Sequence, residues 1–167
     1  MDYESAANYW VEKDQVSVRM DRKDLMKAIE AFICKHRVCA FAAAAGDFVR
    51  NTPLEFNYVD GSFYMFSEGG LKFRALKENK HVCLAIYEEN VQFGQLAGLQ
   101  GTGMAEMIEP WSEEYLKLVN YRKIPVEALK KLPHSMNLIK VVPKVYDFLN
   151  SDLKKEGFGS RQQLIMQ

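Results

Sequence analysis

Cysteine is scarce in this chain. Cys34, Cys39 and Cys83 are the only three, and no Cys-x-x-Cys pair occurs. That excludes a disulfide framework or a zinc knuckle as the basis of stability and suits a reducing compartment, the cytoplasm. An excess of one charge is also missing, because 22 basic residues are matched by 22 acidic ones. Nothing draws the whole surface to nucleic acid or to an anionic membrane, so any anion site has to be local. Long hydrophobic runs are absent too. The longest, Val38–Ala45, falls far short of the roughly 20 residues a membrane helix needs. The start, Met1-Asp2-Tyr3-Glu4-Ser5, lacks the basic residues and apolar stretch of a signal peptide. Neither nucleic acid nor membrane is an expected partner. Neither G-x-x-x-x-G-K nor G-x-G-x-x-G occurs, which removes support for mononucleotide and dinucleotide sites of those kinds. No serine or cysteine sits in a nucleophile turn, so nothing points to triad chemistry.

The residues that are present suit one domain over 1–167. The chain is 48% hydrophobic and 26% charged, and its length matches the roughly 100–200 residues of one core. A polar N-terminal arm leads to Asp21, which is placed to cap a helix with Leu25, Met26, Ile29, Phe32 and Ile33 on one face. The run Val38–Ala45 reads as a doubly buried strand. Residues 48–59 form another strand, with Leu54, Phe56 and Tyr58 alternating and Pro53 marking an edge or a bulge. Asp60-Gly61 predicts a type I′ turn, because both central positions of that turn need positive φ. A returning strand over 62–66 follows, then a helix over 71–78 and a strand over 81–87. Residues 91–108 form a long strand or a hairpin whose Gly94, Gly98, Gly101 and Gly103 mark bulges, corners or close backbone approach. Helices over 111–122 and 125–132 precede two strands, 138–142 and 145–149, parted by Pro143, and a polar tail with Gly157-Phe158-Gly159. Strands in succession with few helices point to a mostly β fold, a small antiparallel barrel with peripheral helices.

The stretch Ser67-Glu68-Gly69-Gly70-Leu71-Lys72 carries the chemistry. It passes from strand through two glycines into a helix, so free N–H groups, the Ser67 hydroxyl and the Lys72 ammonium converge on a place that suits a phosphate. Cys34, His36 and Cys39 lie close in sequence but lack the fourth ligand of a tetrahedral metal site. His81 and His134 read as capping or surface residues.

At this point the sequence resembles the FMN-binding split-barrel family that includes the pyridoxamine 5′-phosphate oxidases, and most closely a small bacterial branch with no assigned substrate. The likeness covers most of the chain. It rests on Arg50-Asn51-Thr52-Pro53-Leu54, the stretch from Asp60-Gly61 to Ser67, Leu71-Lys72-Phe73-Arg74-Ala75-Leu76, and Gly98-Leu99-Gln100-Gly101-Thr102-Gly103. The resemblance implies an antiparallel split β-barrel and a homodimer with FMN at the subunit interface. Ser67 and Lys72 would hold the flavin phosphate with Arg50, while Thr52, Pro53, Met65 and Phe66 would lie along the ring or ribityl chain. Gln100 would reach the flavin of the partner chain. Gly70 stands where the oxidase motif carries a serine, and the arginine-rich C-terminal segment that holds the oxidase substrate is not recognisable. The implied function is therefore flavin-mediated electron or hydride transfer with an unidentified small molecule; the alternative is a non-catalytic module that binds flavin or haem.

Overall fold

The computed structural model describes residues 2–89 and 91–166. The N-terminal segment is a helix rather than a polar arm. In α1 (Tyr3–Gln15) the Asp2 carboxylate accepts hydrogen bonds from the Glu4 and Ser5 N–H groups, and none of its residues is buried. Asp2 is the N-cap that the sequence reading passed over. Helix α2 (Arg22–Cys34) starts as expected, with Asp21 accepting from the Lys23 N–H, and it buries Leu25, Ile29, Phe32 and Ile33.

The sheet is antiparallel throughout. Its strands are β1 (Val38–Ala45), β2 (Phe48–Glu55), β3 (Asn57–Val59), β4 (Ser62–Ser67), β5 (His81–Tyr87), β6 (Ala97–Ile108), β7 (Asn137–Asn150) and β8 (Arg161–Ile165). The order is β2-β1-β5-β6-β7-β4-β3, with β8 added on β7. The two ends of that path are one chain segment, because only Phe56 separates β2 from β3. Its N–H donates to the Arg37 carbonyl at 2.8 Å. One continuous extended stretch thus pairs with β1 at one end and with β4 at the other, and the sheet has to curl on itself.

Strand β1 is buried on one face only. Cys39, Phe41 and Ala43 enter the core, while Ala40 and Ala42 are half-buried and Val38 is exposed. Alanine is small enough to make an outward face look like an inward one in a run of apolar residues. The Asp60-Gly61 turn adopts positive φ at both positions, 50° and 75°. Pro143 does not divide the last strands, since β7 runs unbroken past it. Pro143 faces Gly103 where the β6–β7 register shifts, so its missing N–H falls at a bulge where regular pairing is already interrupted. The C-terminal tail is ordered as well, through a 3₁₀ helix (Ser151–Glu156) and β8. Of the region before β6, residues 91–96 are outside any strand.

Two hydrophobic clusters result. The larger fills the barrel beneath α2 and α3 (Lys72–Glu78), with Phe41, Phe63, Met65, Leu84, Ile139 and Tyr146 among its members. The smaller lies on the opposite face of β4 and β7, where Tyr64 and Leu138 meet Tyr115, Leu118 and Val119 of α4 (Glu113–Tyr121) and Leu129 of α5 (Val126–Lys130). Among the described residues no helix is long and apolar enough to cross a membrane.

Candidate anion-binding site

The junction between β4 and α3 gathers the groups expected to hold an anion. Ser67 ends β4 and Lys72 opens α3. The Ser67 hydroxyl donates to the Gly69 carbonyl at 3.1 Å, and the Lys72 Nζ donates to the same oxygen at 2.5 Å. Lys72 is 3% exposed and is the one charged side chain buried among the described residues. An ammonium with three donors therefore spends one on a neutral carbonyl, and its ring neighbour Phe73, 4.9 Å from Nζ, adds only a cation–π contact. Burial pulls its pKa below the ordinary lysine value. An anion brought to this place would supply the countercharge that the fold does not. The residues fit a phosphate on that ground.

The loop between the two residues is held from behind. Asn137, at the start of β7, donates to the carbonyls of Ser67 at 3.1 Å and Glu68 at 3.3 Å. No motif spacing reveals Asn137, because it meets the loop across about seventy residues of sequence. Gly70 adopts φ +117°, and a Cβ there would sit 3.4 Å from the Lys72 Nζ. A serine at this position would need a backbone conformation that side-chain-bearing residues rarely take, so the departure from the oxidase motif is built into the loop geometry.

The other expected site residues are distributed more widely. Helix α3 packs against β1 and β2, which carries Lys72 towards the strand of Arg50, Thr52 and Pro53. Arg50 and Pro53 are exposed and Thr52 is half-buried. Arg50 pairs with Ala43 and Thr52 with Phe41, so both lie on the core-facing side of that strand pair. Met65 is fully enclosed in the larger cluster, and its side chain is a core residue. Phe66 packs against the smaller cluster, its ring edge-on to Tyr115 at 5.6 Å. Gln100 is exposed on β6 and borders a cavity of about 570 Å³ under α1 that includes neither Ser67 nor Lys72. Within one protomer Ser67 and Lys72 meet directly, whereas Gln100 belongs to a different face of the sheet.

No family model matches the chain, and no curated protein matches it. Solved structures do match. A protein from Listeria innocua provisionally named a pyridoxamine 5′-phosphate oxidase is 26% identical, with a TM-score of 0.60 over 75% of this chain and 98% of that one. The chain has the pyridoxamine 5′-phosphate oxidase-like split-barrel fold. An FAD-binding protein from Mesorhizobium loti shares this split barrel at 16% identity, with a TM-score of 0.60 over 72% of this chain and 89% of that one. So does HutZ, the haem storage protein of Vibrio cholerae, at 17% identity and a TM-score of 0.59 over 70% and 88% of the two chains. The split barrel thus occurs in proteins that bind a flavin and in proteins that bind haem.

Proposed function

We propose that the protein is a homodimeric, cytoplasmic FMN-binding oxidoreductase that exchanges electrons or hydride with a small organic molecule. The observation that carries this reading is the buried Lys72, whose ammonium converges with the Ser67 hydroxyl on one carbonyl oxygen and has no anionic partner among the described residues. Bound FMN supplies the redox chemistry, since its ring accepts and donates hydride. Ser67 and Lys72 bind the phosphate, Asn137 fixes the loop that presents them, and Arg50 adds positive charge from β2. Thr52 and Pro53 would lie beside the ring or ribityl chain, with Met65 and Phe66 backing them from the larger and the smaller cluster. Gln100 serves the partner subunit's flavin. No side-chain acid or base is assigned, because bound FMN would itself supply the redox chemistry.

A second reading keeps the same barrel as a flavin- or haem-binding module without turnover, and the resemblance to a haem storage protein favours it. The visible absorption spectrum of the purified protein, before and after loading with FMN and removal of the excess, tests the first reading. A retained flavin spectrum near one per chain is expected, together with reduction by NADH or NADPH and reoxidation by air faster than free flavin. Retained flavin without faster turnover supports the binding module. A chain that stays colourless with FMN but takes up haem overturns the flavin assignment.

A further inference from the structure

Trp111 is held at φ +68°. Such an angle is uncommon for any residue with a side chain, and for a bulky one it marks a turn or strain. Here it marks both. The Ser112 N–H donates to the Glu109 carbonyl at 3.2 Å, so Glu109-Pro110-Trp111-Ser112 is a β-turn. Pro110 fixes a negative φ at its second position and Trp111 has a positive one at the third, which is the type II form, whose third position belongs to glycine or asparagine. The residue is 37% exposed, so burial alone does not account for a tryptophan in this place.

The contacts of the indole do account for it. Its Nε1 donates to the Ser135 hydroxyl at 3.2 Å, and its ring lies against Tyr115 with the centroids 5.7 Å apart. Tyr115 is fully buried, and its hydroxyl donates to the Met136 carbonyl at 3.1 Å. The two aromatic residues thus grip Ser135 and Met136, the two positions just before Asn137. Tyr115 also meets the ring of Phe66, the residue before Ser67. Asn137 and Ser67 pair at the ends of β7 and β4, and the Asn137 amide holds the Ser67 and Glu68 carbonyls. The base of this clamp is fixed to the same two strands. Glu114, in the first turn of α4, accepts from the Tyr64 hydroxyl of β4 at 2.8 Å and pairs with the Lys140 Nζ of β7 at 3.0 Å.

We propose that Trp111 and Tyr115 are positioning residues for the Ser67–Lys72 site: they hold the start of β7 so that Asn137 keeps the Ser67 and Glu68 carbonyls turned towards itself, and so set the loop from which Ser67 and Lys72 meet a phosphate. A strained turn persists where its surroundings over-determine it, and the bonds to Ser135, Tyr115 and the two strands do so here. The inference rests on the reading of the Ser67–Lys72 site as a phosphate cradle and adds to it residues that act through Asn137. Coupling of this kind is reciprocal. If the clamp raises the affinity for phosphate, phosphate bound at Lys72 favours the clamped arrangement by the same factor.

The chain has two tryptophans, so Trp10→Phe leaves Trp111 as the sole tryptophan reporter. Inorganic phosphate, which does not absorb in the near ultraviolet, is titrated against chloride at equal ionic strength. The expected result is a saturable change in Trp111 emission with phosphate, none with chloride, and none with phosphate once Lys72→Ala is added. In parallel, Ser135→Ala and Trp111→Phe should each weaken FMN binding about two- to tenfold, as for one neutral hydrogen bond, while the flavin-free proteins keep their far-ultraviolet circular dichroism. Ser135 is exposed, so its variant leaves the core intact even if Trp111→Phe fails to fold. The two together should add little to either alone, because each removes the same bond. Trp111→Gly should weaken FMN binding at least as much as Trp111→Phe, although glycine is the residue the turn favours; a tryptophan that served only the turn would be replaced without loss. FMN affinity unchanged in Ser135→Ala and Trp111→Phe, or retained in Trp111→Gly, overturns the proposal. So does a chain that binds FMN with no phosphate response at Trp111. A phosphate response that Lys72→Ala abolishes, in a chain that binds no FMN, upholds the clamp and sinks only the flavin reading, whereas a chain that takes up neither ligand removes both.

Discussion

Lys72 sits where function and stability pull apart. Its ammonium is buried against one carbonyl, so it serves an anionic ligand at the expense of the empty fold. Lys72→Ala should weaken FMN binding by about 1.5–3 kcal/mol, or roughly ten- to a hundredfold, the range for a hydrogen bond to a charged group. Unchanged affinity in a flavin titration would show that the phosphate binds elsewhere. Lys72→Met should raise the melting temperature of the flavin-free protein, because it keeps the stem and removes the buried charge. A folded pKa below the ordinary lysine value means that the unfolded chain binds more protons between the two values. Stability of the wild-type chain should therefore rise with pH through that alkaline window, and the rise should be smaller in Lys72→Met. Tyr146 shows the same tension without a ligand. Its hydroxyl and that of Tyr58 are buried beside each other and form no well-aligned hydrogen bond among the described residues, and burial pushes both phenols up in pKa. Tyr146→Phe should stabilise the protein by about 1 kcal/mol, read from urea unfolding. A loss of that size would mean that the hydroxyl is satisfied in solution.

At the scale of elements, the β6–β7 pair is the longest ladder and turns at a defect. Gly103 lies against β7 so closely that a Cβ would fall 2.3 Å from the Val142 carbonyl oxygen and 2.9 Å from the Pro143 Cα. Both neighbours are backbone and cannot step aside. Gly103→Ala should cost about 3 kcal/mol or more, at or beyond the upper end for overpacking, measured as a lowered denaturant midpoint. This bulge also explains what the sequence reading could and could not reach. Gly103 is legible as a bulge or close approach, but Pro143 reads as a break, because nothing local shows that the two face each other across about forty residues. The Asp60-Gly61 turn, α2 and the strands on either side of Ser67 were legible because their signals are local: two positive-φ residues, a cap, an alternation. β8 and the cap of α1 were missed for the opposite reasons. A strand of mixed polar residues is recognised only by its partner β7, and one aspartate before a polar segment is easily read as loop. Within the site, Ser67 and Lys72 lie five residues apart and their spacing is legible, whereas Asn137 reaches the loop from the neighbouring strand β7, about seventy residues away in sequence.

At the scale of the molecule, the outer sheet face looks like a surface made to be covered. Ala40 and Ala42 are flat and half-buried, flanked by exposed Val38 and Val49, and a chain with no net charge offers little repulsion against a second copy. The homodimer we propose uses this face. Ala42→Arg places a charge at its centre on β1, away from Ser67 and Lys72, and leaves the core side of that strand untouched. An unpaired charge buried in an interface should weaken association by about 3–5 kcal/mol, turning a dimer into a monomer by light scattering at micromolar concentration. If each flavin lies across the interface, the same variant must lose FMN together with its partner, although every residue of the phosphate cradle is intact. Loss of the dimer with flavin retained would place the whole site within one protomer and remove Gln100 from it. A wild-type chain that is already monomeric would overturn the shared site, leaving the Ser67–Lys72 cradle to be judged by the titration of Lys72→Ala alone.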